Sequence, residues 1–450
     1  MNSINEKIPF LRVLPDGWKT HRLKEISKVN LSNVDKKSHD GEKVVKLCNY
    51  VDVYYNHTIS DKIDFMIATA SDEQIRKLTL KKDDVILTKD SESPSDIGIP
   101  TWVKEDMPEV VCGYHLALIR PNVNVVTGLY LYYLLYSYGF KEHFWISAKG
   151  VTRFGISKGD IQNIQLLIPP IELQNKITRY LKEKDLLIDK LIKKKENLIM
   201  LLQQQRQSII TEAVTKGLNP NVKMKDSGVE WIGEIPEHWK VKKIKHFATH
   251  VGSGKTPSGG SEVYLDEGVP FLRSLNVHFD GIRLKDLAFI SEDTNAEMKS
   301  SQVQPLDILL NITGASIGRT AIVPKDFGRA NVNQHVCIIR LNQKKMYPYY
   351  FNMLMASDVI HQQIWFAQNG SSREGLNFVQ VKELKFAMPP TIEEQREIND
   401  WVFNKLKTIY DVMSKIKEQI EKLKEYRQAL IYEAVTGKID VRDMELDEVR

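Results

Sequence analysis

Arg206-Gln207-Ser208-Ile209-Ile210-Thr211-Glu212-Ala213-Val214-Thr215 returns as Arg427-Gln428-Ala429-Leu430-Ile431-Tyr432-Glu433-Ala434-Val435-Thr436. Seven of these ten positions are identical, more than chance gives at one fixed offset, so the chain is an internal duplication. Working outward, the same offset, close to 221 residues, aligns the rest. Leu14-Pro15-Asp16-Gly17-Trp18-Lys19 matches Ile235-Pro236-Glu237-His238-Trp239-Lys240, and Asp84-Val85-Ile86-Leu87-Thr88 matches Asp307-Ile308-Leu309-Leu310-Asn311. His115 to Arg120 matches His335 to Arg340, Gly150-Val151-Thr152-Arg153 matches Gly370-Ser371-Ser372-Arg373, and Pro169-Pro170 matches Pro389-Pro390.

Each copy has two parts. The first holds short apolar, strand-like runs broken by Gly, Asn, Asp and Pro, the pattern of a mixed α/β domain. The second is a long helix. Thr391 is a good N-cap, Glu394 completes a capping box three residues on, and Gly217 and Gly437 mark the two helix ends. Along the second helix Val402, Leu406, Ile409, Met413, Ile416, Ile420, Leu423, Arg427 and Leu430 fall alternately four and three apart, the coiled-coil period. Along the first, the seam contains Leu181, Ile188, Ile192, Ile199, Leu202 and Ile209. Arg206 and Arg427 take equivalent polar seam positions suited to fixing register.

The predicted class is α+β: two similar mixed α/β domains separated by two long antiparallel coiled-coil helices in a pseudo-two-fold repeat. The expected segments are a first domain over 1–170 and a first helix over 171–217. A linker and second domain follow over 218–390, a second helix over 391–437 and a tail over 438–450.

Composition narrows the function. With 42% apolar residues and 9% aromatics, global disorder is excluded. No apolar run approaches the roughly 18 residues of a membrane span, and the N-terminus has no secretory apolar stretch. Three scattered cysteines, Cys48, Cys112 and Cys337, have no metal-ligand spacing, so a reducing cytoplasm is the expected compartment. A net charge of +5 is weak for a nucleic-acid binder of this size. The helices differ: residues 172–216 carry ten basic groups against six acidic, residues 393–436 eight against nine.

No catalytic constellation stands out. Gly252-Ser253-Gly254-Lys255-Thr256-Pro257-Ser258 suggests a phosphate loop, but Thr249 stands where a P-loop needs Gly, and Pro257 argues against a following helix. The Pro-Pro pairs follow Ile168 and Met388, unlike the pocket motif of an adenine methyltransferase. His115 and His335 lead into apolar strands and read as hydrogen-bonded structural histidines. The polar loops are the candidates for DNA contact. They comprise Lys149, Thr152 and Arg153, with Ser372 and Arg373 in the second copy. Lys89 with Ser91, Lys255 with Thr256 and Ser258, and Arg273 with Ser274 complete the set. Small residues beside arginine suit phosphate contact or guanine recognition; pairing with a local carboxylate is the competing reading.

The duplicated layout, the Pro-Pro-x-x-x-Gln-type helix starts and the Glu-Ala-Val-Thr helix ends resemble the DNA specificity subunit of type I restriction–modification enzymes. The linker Lys225-Asp226-Ser227-Gly228-Val229-Glu230-Trp231-Ile232-Gly233-Glu234-Ile235-Pro236 and Gly254-Lys255-Thr256-Pro257-Ser258 are similar to that family's signatures. The resemblance implies two target-recognition domains reading the halves of a split double-stranded DNA site. It implies two methyltransferase subunits and restriction subunits as partners. It also implies no cofactor on this chain, with S-adenosylmethionine, ATP and Mg2+ on the partners. Met1 to Leu14 lacks the linker signature, which leaves open how the pseudo-circle closes. A fused restriction–methylation enzyme, a coiled-coil scaffold without DNA and a silent specificity cassette are the alternatives.

Overall fold

The computed structural model describes residues 15–257, 259–368, 375–442 and 444. Contacts divide the chain into two compact units, Met1–Lys195 with Glu418–Arg450, and Glu196–Lys417. Each unit therefore takes one globular domain and a half of each long helix.

In the first unit a five-stranded sheet runs Ser27–Leu31, Leu116–Pro121, Val85–Thr88, Pro100–Val103, Thr58–Ile59. Val85–Thr88 is buried on both faces, which explains a continuous apolar run in place of alternation. A four-stranded sheet, Met66–Ala70, Lys43–Cys48, Met107–Cys112, Thr79–Leu80, packs beside it. The second unit repeats the central strands: Ile308–Asn311 lies between Val336–Leu341 and Thr320–Ile322 and is equally buried. The strand entering each domain pairs antiparallel with the strand leaving it, Lys19–Arg22 with Gln165–Ile168 and Lys240–Lys243 with Lys385–Met388.

One ion pair recurs in both domains. Arg120 donates through Nε and Nη2 to the two oxygens of Asp84 (2.8 and 2.6 Å), and Arg340 does the same to Asp307 (2.8 and 2.7 Å). Both carboxylates are 1% exposed, and each also accepts a backbone N–H, from Lys81 and from Gln304. Burial pushes the Asp84 carboxyl up despite the arginine beside it.

The long helices span Ile171–Lys216 and Ile392–Val435, 46 and 44 residues, or roughly 69 and 66 Å at 1.5 Å per residue. They pair antiparallel. In the first unit Arg427 contacts Asp185 and Asp189, while Lys195 Nζ donates to Gln419 Oε1 at 2.6 Å. In the second, Arg206 Nε donates to the Tyr410 hydroxyl at 2.8 Å. On the second helix Val402, Leu406, Ile409, Met413, Ile416, Ile420 and Leu430 are buried and Leu423 half-buried. The first helix buries Leu181 and Ile188. With Lys195 in mid-seam, Ile192, Ile199, Leu202 and Ile209 are only half-buried.

Two features that recur in both copies have structural causes within the units. Gln174 and Gln395, at the helix starts, are fully buried and accept the backbone N–H of Thr127 and Tyr347 (2.9 and 2.8 Å). Gly217 and Gly437 both adopt φ +71°, closing each helix with a left-handed residue. A Cβ on Gly217 would sit 3.3 Å from the Trp239 ring, and on Gly437 2.6 Å from Pro15 and 3.1 Å from the Trp18 ring. The capping box at Thr391 forms by half. Thr391 Oγ1 accepts the Glu394 N–H (3.2 Å), but the Glu394 carboxylate turns to the Trp239 indole N–H at 2.8 Å, a buried donor that needs a partner more than the helix start does.

Arg340→Ala strands the buried Asp307 carboxylate, so a loss of about 3–5 kcal/mol is expected in urea unfolding of the full chain. A loss below about 1 kcal/mol would show that the pair is dispensable.

Candidate nucleic-acid interface

In the first unit, residues far apart in sequence meet on a three-stranded sheet, Lys149–Gly150, Phe154–Gly155 and Asp90–Ser91. Its register sets Gly155 against Asp90 and Phe154 against Ser91. The turn between the first two strands is tight: Gly150 has φ +150°, and a Cβ there would lie 1.9 Å from the Arg153 carbonyl oxygen. Only glycine fits. Lys149, Val151, Thr152 and Arg153 are thereby held out in solvent.

Arg153 does not stand alone. Its Nε and Nη2 donate to Asp90 Oδ1 at 3.1 and 2.8 Å, and Nη2 lies 2.9 Å from His115 Nδ1. His115 Nδ1 is itself 2.5 Å from the same Asp90 oxygen. Lys89 is drawn inward. Its Nζ donates to the Ser32 carbonyl at 3.2 Å and sits 4.7 Å above the Tyr114 ring, and burial pulls its pKa down. Ser91 Oγ accepts from the Tyr50 hydroxyl at 3.3 Å.

The second unit places its candidates at the matching end of its strands. Gly254 donates its N–H to the Asn333 carbonyl (3.1 Å), and Asn333 N–H donates to Leu272 (3.1 Å), which brings the loops bearing Lys255 and Arg273 to one segment. A Cβ on Gly254 would fall 1.5 Å from the Val332 carbonyl, so this glycine serves close packing. Lys255 and Thr256 are exposed. Arg273 is tied down: Nη2 donates to the Asp286 carbonyl at 2.7 Å, and its guanidinium lies 5.7 Å from the Tyr264 ring. The Ser274 carbonyl accepts from Asn311 Nδ2 (2.8 Å), and Thr313 Oγ1 is 2.5 Å from His335 Nδ1.

Comparison with known proteins decides what this arrangement belongs to. The family described as type I restriction modification DNA specificity domain matches twice, over residues 15–201 and 236–422. The chain belongs to this family. A Methanocaldococcus jannaschii protein, provisionally named type I restriction enzyme MjaX specificity subunit, is 28% identical over 445 residues, 95% of each chain. The Escherichia coli type I restriction enzyme EcoBI specificity subunit is 25% identical over 302 residues, 65% of this chain and 62% of that one. A solved chain from work on complex assembly and conformational transition of the type I R-M system superposes with TM-score 0.61. At 15% identity it covers 95% of this chain and 100% of that one, a likeness of fold.

In this type I specificity chain the candidates from sequence fall into three groups. Lys89, Ser91, Lys149, Thr152 and Arg153 gather around one small sheet; Lys255, Thr256, Arg273 and Ser274 gather on neighbouring loops of the second unit. Ser258, Ser372 and Arg373 lie outside the described residues. Sequence reasoning missed Asp90, Tyr50 and Tyr114, and set His115 and His335 apart as structural. Both histidines do hydrogen-bond, but within the polar clusters. Their repeat immediately before aligned strands was the available signal.

Gly150→Val should open the Lys149–Arg153 turn. Hydrogen exchange at Phe154 and Gly155 is expected to quicken by tenfold or more, as for a loss of over about 1.4 kcal/mol locally. Unchanged protection would mean that the turn tolerates a side chain.

Proposed function

We propose that this chain is the DNA sequence-recognition subunit of a type I restriction–modification complex, each domain reading one half of a split, asymmetric double-stranded site. The observation that carries this reading is the double family match, one on each copy of the repeat. The two copies share strands, ion pair and helix ends, yet their loops differ: Asp90 is matched by Thr313, and Tyr50 by Ser274. Unlike loops on like scaffolds read unlike half-sites, so the target is not a palindrome.

Two methyltransferase subunits dock along the helices, and restriction subunits add ATP-dependent cleavage. Leu186, Leu187, Leu191, Leu198 and Leu201 on the first helix, and Trp401 and Phe403 on the second, expose apolar surface that suits such docking. The chain itself is non-catalytic and holds no cofactor. S-adenosylmethionine, ATP and Mg2+ belong to its partners, which methylate adenine N6 or cut. The compartment is the cytoplasm; no helix among the described residues is long and apolar enough to cross a membrane.

The helices set the gap between the half-sites. Inserting one or two base pairs turns one half-site by roughly 35–70° about the duplex axis. Co-expression of the full chain with its methyltransferase, followed by long-read mapping of N6-methyladenine, is expected to give one bipartite motif with a single gap length. Respaced sites are expected to lose methylation; equal methylation at several gaps would rule the reading out.

Exposed Lys149 is suited to a phosphate: no ion pair within 4 Å is seen for it among the described residues, and Asp160 acts on it only at longer range. Lys149→Ala should lower DNA affinity evenly across sequences and reduce the slope of log K against log salt by about one. A gel shift of the methyltransferase complex over a salt series measures it.

A further inference from the structure

Arg153 is arranged for a neutral hydrogen-bonding partner more than for a phosphate. Its Nε and Nη2 edge is held by Asp90 Oδ1, yet its side chain stays 53% exposed at the end of the hairpin turn. Among the described residues Nη1 has no hydrogen-bond partner, so its two N–H donors are free at the outer end of the guanidinium, while Nη2 is shared between Asp90 Oδ1 and the His115 ring. His115 Nδ1 lies 2.5 Å from the same carboxylate oxygen and 2.9 Å from Arg153 Nη2, so the imidazole packs against both groups.

A carboxylate this close cancels most of the local positive charge and would repel a phosphate oxygen brought to the same guanidinium. A guanine has no such objection: its major-groove edge offers O6 and N7, two neutral acceptors spaced for a guanidinium fork. Fixing the fork beforehand also leaves less side-chain entropy to lose on contact.

The internal repeat separates this from a plain structural ion pair. Asp90 is paired with Gly155, and the matching bridge in the second unit joins Thr313 to Gly375. The second copy keeps an arginine at the Arg153 position, Arg373, but replaces the carboxylate with Thr313. If the arginine served only to neutralise the carboxylate, the second copy would have no use for it. By contrast, the ion pair that is structural, Asp84 with Arg120, is kept whole as Asp307 with Arg340.

We propose that Asp90 is a positioning residue that aims Arg153 at a guanine in the half-site read by the first unit. This rests on the DNA-reading function proposed above.

The test uses the full chain co-expressed with its methyltransferase subunits in a host without adenine N6 methylation, on a plasmid library of randomised duplex sites read by long-read sequencing. The wild type is expected to require a guanine at one position of one half-site, preferred on the order of ten- to a hundredfold over other bases. Arg153→Ala should bring that one position close to no preference. Asp90→Asn, which keeps the shape but loses the charge, should reduce the preference at the same position to an intermediate value. Arg153→Lys, which cannot donate two parallel bonds from a planar fork, should do likewise. The other half-site should keep its preferences in every variant, which shows that the complex is folded and bound. The proposal is overturned if Arg153→Ala keeps the full wild-type motif, if it weakens all positions evenly as a phosphate contact would, or if neither half-site of a clear bipartite motif contains a required guanine. A wild type that methylates with no motif at all overturns the DNA-reading function itself.

Discussion

A heptad seam on a solvent-facing helix is stable only when a second seam covers it, and this constraint organises the chain. Each fully buried leucine or isoleucine contributes about 1.5–3 kcal/mol, and the second helix buries seven seam residues. A lone helix could not bury them. Because the two helices pair antiparallel, the start of the first lies in the same compact unit as the end of the second. Neither globular domain is therefore completed by its own half of the sequence. Tyr130 shows it directly: its hydroxyl donates to Leu167 and to Val435, 305 residues away.

The polar seam positions add discrimination that the apolar ones lack. Arg427 meets Asp185 and Asp189, and Tyr133 donates its hydroxyl to Asp185 at 2.9 Å; the equivalent Arg206 meets Tyr410 and the Phe279 ring. Position 410 is the repeat partner of position 189, so one seam site carries Arg–Asp in one unit and Arg–Tyr in the other. Slipping the helices by a heptad would leave Arg427 half-buried without its carboxylates, a cost of several kcal/mol that apolar packing alone would not impose. The closing tail follows the same logic. Gly437 and Trp18 in the first unit reproduce the contact of Gly217 with Trp239 in the second, although residues 1–14 lack the linker's sequence. What the repeat preserves is the tryptophan and the glycine, and these suffice to close the helix on its domain.

The scaffold was legible in the sequence because its physics is periodic or repeated. The heptad fixes the buried face of each helix, and two copies of one pattern at a constant offset distinguish signal from coincidence, as with Asp84–Arg120 and Asp307–Arg340. The candidate site was legible only in pieces. Residues such as Lys89 and Lys149 were found by type, but that they share one small sheet depends on strands of two residues, too short to leave a periodic trace. Type alone also misjudged burial. Lys89 reads as a free loop cation, yet it is half-buried against Tyr114 and a backbone carbonyl. Asp90 escaped notice because its role exists only once Arg153 is beside it, 63 residues on. The capping box failed for a related reason: the competing donor, Trp239, is 155 residues away.

The small net charge of +5 is consistent with this division between scaffold and loops. Bulk attraction to DNA scales with the number of phosphates neutralised, and each cation that is paired internally stops contributing to it. In the first unit Lys89 is turned inward and Arg153 is matched by Asp90, which leaves Lys149 as the plainly exposed cation of the candidate set. A surface built to grip would not spend arginine against carboxylate. A surface built to discriminate gains from it, because a neutralised, oriented guanidinium loses little when the right base is present and finds no substitute in the backbone when it is not. On the function proposed here, holding the duplex then falls mainly to the partner subunits, and this chain supplies the choice of sequence.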